Sequence, residues 1–230
     1  MLLEIHDLVA HHGSGQVLYG IGLDVAAGEC LAVLGRNGMG KTTLVHTVAG
    51  LHPATAGRIA VDGVDVTAMA AEQRSRAGMA LVPQGHRVFG SLTVAENLAV
   101  AARPGPHDMA SVMARFPILG ERANQHAGDL SGGQQQLLVV ARALVANPRV
   151  VLMDEPSEGL DPRRVAMVTG MVEDLLAAGS GVLLVEQRLG FALRIATRVA
   201  VMERGSLTLV EDAAAARTDP TTLHDLLGLA

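Results

Sequence analysis

The apolar positions of this chain fall into two patterns. Short β-like runs open it, at Leu2–Ile5, Val17–Val25 and Arg58–Asp62, separated by Gly and Ala-Gly turns. Runs bounded in this way predict hairpins or a small antiparallel sheet. From Cys30 onward the aliphatic runs Cys30–Leu34, Met79–Val82, Val150–Met153, Val182–Val185 and Val199–Met202 alternate with helical stretches. That alternation predicts a parallel sheet flanked by helices, an α/β fold class. Residues 93–146 interrupt it with helical sequence broken at Pro104-Gly105-Pro106 and Gly128-Asp129, so a helical insert is expected. The best-defined helix follows Pro162: Asp161 suits the N-cap, and Val165, Val168, Met171, Val172, Leu175 and Leu176 recur at helical spacing.

Composition narrows the class. The 230 residues are 49% apolar and 18% charged, which places the chain among globular proteins and excludes disorder as its main state. Its 18 basic and 23 acidic residues give a net charge of −5, which argues against broad electrostatic binding of nucleic acid. One cysteine, Cys30, and an N-terminus without a basic start and apolar core predict a reducing, cytoplasmic setting. No apolar run approaches the roughly 18–20 residues that cross a bilayer, so a membrane connection would go through a partner. Three Phe, one Tyr and no Trp leave an aliphatic core and few rings for stacking.

The first chemistry lies after Cys30–Leu34, where Gly35-Arg36-Asn37-Gly38-Met39-Gly40-Lys41-Thr42-Thr43 satisfies G-x-x-x-x-G-K-[ST] between a strand and a helix. Glycines let the backbone turn its N–H groups around phosphate oxygens, and the helix starting near Lys41 points its positive end at the same place. Lys41 can bridge β- and γ-phosphates, and the Thr42 hydroxyl can ligate Mg²⁺. The strand Val150–Met153 ends in Asp154-Glu155, two carboxylates where open α/β sheets bind ligands. Successive strand side chains point oppositely, so different roles are expected: Asp154 on Mg²⁺ or its water, Glu155 on the attacking water. Leu130-Ser131-Gly132-Gly133-Gln134 opens the apolar helix 137–146 and forms a second candidate anion site, with Ser131 a possible cap.

Together the phosphate loop 35–43, the signature 130–134 and the carboxylate strand 150–155 resemble the ATP-binding cassette family, with Ser157-Glu158-Gly159-Leu160-Asp161 resembling its D-loop. The resemblance covers essentially the whole chain. It implies a P-loop NTPase core with an N-terminal antiparallel β subdomain and an inserted helical subdomain. The expected single unit, 1–230, divides into a core of about 1–84 and 147–230 and an insert of about 85–146. It further implies ATP and Mg²⁺ as cofactors, and a head-to-tail dimer in which each ATP lies between the phosphate loop of one subunit and Ser131, Gly132, Gly133 and Gln134 of the other, with Asp161 nearby. Gln84 resembles the Q-loop glutamine that touches Mg²⁺ or water.

The more specific likeness is to ATP-binding proteins of branched-chain amino acid, urea and short-chain amide uptake, carried by 34–43, 82–98, 128–136 and Leu184-Val185-Glu186-Gln187. It implies integral-membrane permeases that contact the cassette through a short cytoplasmic helix, a solute-binding protein, and a place on the cytoplasmic face of the membrane. Gln187 stands where most cassettes have a switch histidine. Glutamine can hydrogen-bond phosphate or water but cannot carry a positive charge, and the likeness implies pairing with a different cassette subunit, although a homodimer remains open.

The resemblance also implies an aromatic residue stacked on adenine ahead of the phosphate loop, and His12 is the candidate here; the competing reading is a solvated turn with apolar contacts to the base. For Phe89, docking of the permease helix and packing inside the helical lobe stand equal. Other readings of function are a cassette motor for another solute and a nucleotide-gated dimerisation module with little turnover.

Overall fold

The computed structural model describes residues 1–85 and 87–228. Its strands, in chain order, are β1 (Leu3–His12), β2 (Gly15–Val25), β3 (Cys30–Leu34), β4 (Ala56–Val61), β5 (Val64–Asp65), β6 (Met79–Val82), β7 (Val150–Asp154), β8 (Gly181–Glu186), β9 (Arg198–Glu203) and β10 (Ser206–Asp212). The helices are α1 (Lys41–Ala49), α2 (Ala71–Arg76), α3 (Val94–Ala99), α4 (Met109–Arg115), α5 (Pro117–Gly120), α6 (Gly132–Val145), α7 (Pro162–Ala177), α8 (Leu189–Ile195), α9 (Ala213–Thr218) and α10 (Thr221–Leu227). The two apolar patterns become two sheets. One is antiparallel in the order β2-β1-β4-β5; the other runs β10-β9-β3-β8-β7-β6, parallel except for β10 against β9.

Alternate side chains of the parallel strands leave opposite faces, and each face has its own core. Cys30, Ala32, Leu34, Val151, Met153, Val182, Leu184, Val199 and Val201 join the buried faces of α6, α7 and α8. Leu31, Val33, Val150, Leu152, Leu183, Val185, Ala200 and Met202 join Leu44, Val45 and Val48 of α1 and the inner face of the antiparallel sheet. Cys30 is fully buried, and that burial, helped by Glu29, pushes its thiol up to about 12. In α7 the Asp161 side chain accepts from the Arg164 N–H at 3.0 Å, and Val165, Val168, Met171, Val172 and Leu175 are buried as the spacing predicts.

Between β6 and β7 the chain forms α3 to α6. Helix α6 starts at Gly132, ahead of the apolar run 137–146, because its first turn is polar: the Ser131 N–H donates to Gln134 Oε1 at 2.9 Å. Strand β10 was not among the predicted runs. Its residues are partly buried or exposed, and it is held by pairing with β9. No helix among the described residues is long and apolar enough to cross a membrane.

The β9–β10 turn clasps the two sheets. Arg204 and Gly205 have φ of 46° and 80°, the left-handed pair that suits a tight hairpin. The Gly205 carbonyl accepts from the Tyr19 N–H at 2.9 Å, its own N–H donates to the Met39 carbonyl at 2.9 Å, and the Arg204 N–H reaches Met39 Sδ at 3.3 Å. A Cβ on Gly205 would run into the Val17 carbonyl oxygen. Gly205→Ala is therefore expected to lower the unfolding free energy by roughly 2–4 kcal/mol; an unchanged denaturation midpoint would contradict this packing.

Candidate functional site

Parallel pairing places the carboxyl ends of β3, β8, β7 and β6 side by side on one edge. Leu34 is opposite Glu186, and Val185 is opposite Asp154. The segments leaving that edge carry the phosphate loop, Gln187, Glu155 and Gln84 in that order. Asn37, Gly38, Gly40, Lys41, Thr42, Thr43, Gln84 and Glu155 line a cavity of about 330 Å³, closed on one side by His12 and Val17 of the antiparallel sheet.

Gly38 and Gly40 have φ of 79° and 104°, which turn the loop back before α1 begins at Lys41. Gly35 lies against β9, where a Cβ would stand 2.6 Å from the Met202 carbonyl oxygen. Arg36, Asn37 and Gly38 are exposed, whereas Met39 is anchored by the β9–β10 turn. Lys41 is buried. Its ammonium donates to the carbonyls of Gly35 (2.7 Å) and Arg36 (3.2 Å) and lies 3.3 Å from Glu155 Oε1.

Strand alternation alone would send Asp154 and Glu155 to opposite faces. Glu155 instead has φ of 48°, a left-handed turn that brings both carboxylates to the phosphate loop with different partners. Asp154 Oδ1 accepts from the Thr42 hydroxyl at 3.3 Å. Glu155 meets Lys41, accepts from Gln187 Nε2 at 2.7 and 2.8 Å, and accepts from Gln84 Nε2 at 3.4 Å. Gln84 also donates to Glu158 at 3.0 Å, a partner that sequence reading did not single out.

Among the described residues, no group of three or more His, Cys, Asp or Glu side chains could hold a metal ion. The cavity nevertheless fits Mg²⁺, which is commonly held by one carboxylate, a hydroxyl and substrate phosphates. Asp154 Oδ2 is buried beside the Thr42 hydroxyl without a hydrogen-bond partner among the described residues. Burial, only partly offset by Thr42 and Lys41, raises the Asp154 carboxyl from 3.8 to about 6. The folded protein thus holds this proton more tightly than the unfolded chain does. Stability is unaffected below the unfolded value, falls as pH rises between the two values, and carries the full cost of ionisation above about pH 6. Asp154→Asn is therefore expected to raise the unfolding free energy at pH 7, without Mg²⁺, by roughly 1–3 kcal/mol; a less stable variant in chemical denaturation would refute the assignment.

The remaining predicted residues divide. His12 is exposed at the cavity rim, with Nε2 3.3 Å from the Thr43 hydroxyl and its ring 4.4 Å from that of His52. Ser131, Gly132, Gly133, Gln134 and Asp161 do not line the cavity. Asp161 caps α7 and pairs with Arg164 at 2.7 Å, and a Cβ at Gly133 would meet the Arg164 guanidinium. Phe89 is half exposed rather than in the core, with the Arg142 guanidinium 4.7 Å from its ring centre. Sequence reading missed His52, which lies in no motif and meets His12 only through chain crossing, and it placed Glu158 in the D-loop-like segment without foreseeing its bond to Gln84.

A family model described as ABC transporter matches residues 18–158. The chain is 37% identical to the high-affinity branched-chain amino acid transport ATP-binding protein BraG of Pseudomonas aeruginosa, over 99% of its length and 100% of that protein. It is 34% identical to the glutamine transport ATP-binding protein GlnQ of Escherichia coli, covering 90% and 89% of the two chains. Among solved structures, an ATP-binding subunit of an ABC transporter superposes with a TM-score of 0.83 at 26% identity, covering 99% of this chain and 95% of that one. An ATP-binding cassette of an ABC transporter in its ADP conformation gives a TM-score of 0.81 at 25% identity, covering 97% of each. With a family model spanning the phosphate loop, the signature and Asp154-Glu155, and full-length likeness to transport ATP-binding proteins, the chain belongs to the ABC transporter family.

Proposed function

We propose that this chain is the ATP-hydrolysing subunit of an importer for branched-chain or other hydrophobic amino acids, or for a related small amide. The observation that carries the reading is Glu155, held at once by Lys41 and by Gln187, beside the Asp154–Thr42 pair. The backbone N–H groups of Gly35, Arg36, Asn37, Gly38, Met39 and Gly40, with those of Lys41, Thr42 and Thr43, cradle the phosphates. Lys41 binds the β- and γ-phosphate oxygens, which compete with Glu155 for its ammonium and free that carboxylate to accept a proton from the attacking water. Gln187 keeps Glu155 oriented, and Gln84 links the water side to the helical insert. Thr42, Asp154 and Gln84 are the residues that would hold Mg²⁺, which when bound neutralises charge on the phosphate oxygens. His12 offers its ring face to adenine at the rim; its smaller area favours looser base selectivity than a tyrosine would give.

The separation of Ser131–Gln134 from the cavity is consistent with these residues and Asp161 serving the ATP of a second subunit. In the same reading the helical insert, about 85–146, moves against the core of about 1–84 and 147–230. The half-exposed Phe89 and the groove it lines with Leu92, Val100 and Arg103 receive a short helix of the membrane permease. We further propose a partner cassette different from this one, because Gln187 lacks a histidine's charge; a solute-binding protein completes the system at the membrane's cytoplasmic face, and nucleic acid plays no part.

Glu155→Gln is expected to lower Mg²⁺-dependent ATP turnover about 10²–10⁴-fold and to trap an ATP-bound dimer; turnover close to the unaltered protein's would sink the assignment, and negligible turnover in the unaltered complex would favour the dimerisation module. Reconstitution with the products of neighbouring genes should give active transport only when a second cassette is present. An active transporter containing this cassette alone would overturn the heteromeric assembly.

A further inference from the structure

Glu186 ends β8, and after the apolar residues Val182–Val185 its carboxylate is also buried, 1% exposed. It does not line the cavity. Three backbone N–H groups converge on it: Ser157 donates to one oxygen at 3.2 Å, and Gln187 and Arg188 donate to the other at 2.9 and 3.1 Å. Hydrogen bonds to a charged acceptor are stronger than neutral ones, and here they bridge segments from different strands. Ser157 follows β7, whereas Gln187 and Arg188 follow β8. The Arg188 guanidinium doubles the tie by donating to the Ser157 carbonyl at 3.1 Å.

Both tied segments lead to the water-activating carboxylate. Gln187 donates to both oxygens of Glu155, and the Glu155 carbonyl accepts from the Glu158 N–H at 3.1 Å. A shift of residues 157–161 would therefore reach Gln187 through the buried carboxylate. We propose that Glu186 is a positioning residue for hydrolysis: it locks the backbone of Gln187 to that of Ser157, keeps the Gln187 amide on Glu155, and passes displacement of the 157–161 segment to the water-activating group. The inference rests on the reading of Glu155 given above.

The test uses the full chain with two variants. Glu186→Gln keeps the side chain's size but replaces one acceptor oxygen with an NH₂ group. Glu186→Asp keeps the charge but is one methylene shorter, which favours the adjacent Gln187 and Arg188 N–H groups over Ser157. Amide hydrogen exchange read by NMR should quicken about tenfold or more in Glu186→Gln at one or more of Ser157, Gln187 and Arg188, and in Glu186→Asp chiefly at Ser157, while exchange of the phosphate-loop amides is unchanged. In the assembled complex kcat should fall about tenfold in Glu186→Gln with KM for ATP nearly unchanged. Adding Gln187→Ala to that variant should cost less than it costs alone, the non-additivity expected of residues acting as a unit.

Unchanged exchange at all three amides would overturn the proposal, as would multiplicative losses in the double variant or a rise in KM that matches the fall in kcat. If Glu155→Gln leaves turnover intact, the reading of Glu155 fails instead, and the exchange measurement still decides whether Glu186 ties the two segments.

Discussion

The site depends on one geometric constraint: β3, β8, β7 and β6 run parallel and end on a common edge. Parallel strands joined by helical crossovers are covered on both faces, and here α1 and the antiparallel sheet cover one face while α6, α7 and α8 cover the other. That burial explains the aliphatic runs from Cys30 onward. It also explains why chemistry collects at the strand ends, where polar side chains emerge from an apolar slab without any further packing to direct them.

Four ionisable side chains are buried at that edge, and each is accommodated differently. Lys41 and Glu155 face one another, and each has further polar partners of its own, backbone carbonyls for Lys41 and side-chain amides for Glu155. Glu186 is satisfied by backbone N–H groups. Among the described residues, Asp154 receives a side-chain hydrogen bond on one oxygen, from Thr42, and none on the other. Uncompensated burial of charge is expensive, so the least satisfied carboxylate is the one that would gain most from a cation. The left-handed backbone at Glu155 is what allows neighbouring acids to share an edge while facing different partners.

Much of this arrangement is legible in the sequence because its signals are local. The run Cys30–Leu34 coincides with β3, and Met79–Val82 coincides with β6. Asp161 caps α7 because a short acid before Pro162 can accept from the first-turn N–H groups. What the sequence conceals is non-local or geometric. Strand β10 lacks a strong burial rhythm and exists because β9 offers it an edge. The pairing of Glu155 with Lys41 needs a backbone turn that strand periodicity does not encode. The convergence of His12, Thr43 and His52 needs the antiparallel sheet to be laid against the phosphate loop. Glu186 did carry a signal, as a charge directly after the unbroken apolar run Val182–Val185, but its meaning depends on Ser157 in the neighbouring loop.

Cys30, the sole thiol in the chain, opens β3 fully buried, with its ionisation suppressed. Reaction with maleimides and disulfides requires an accessible thiolate, so the folded protein behaves toward such reagents as though it contained no cysteine. The fold therefore supplies a spectroscopic blank. A single cysteine introduced on an exposed residue of the signature or beside Phe89 would carry a fluorophore or spin label alone, without replacing a residue buried in the core beneath α6, α7 and α8.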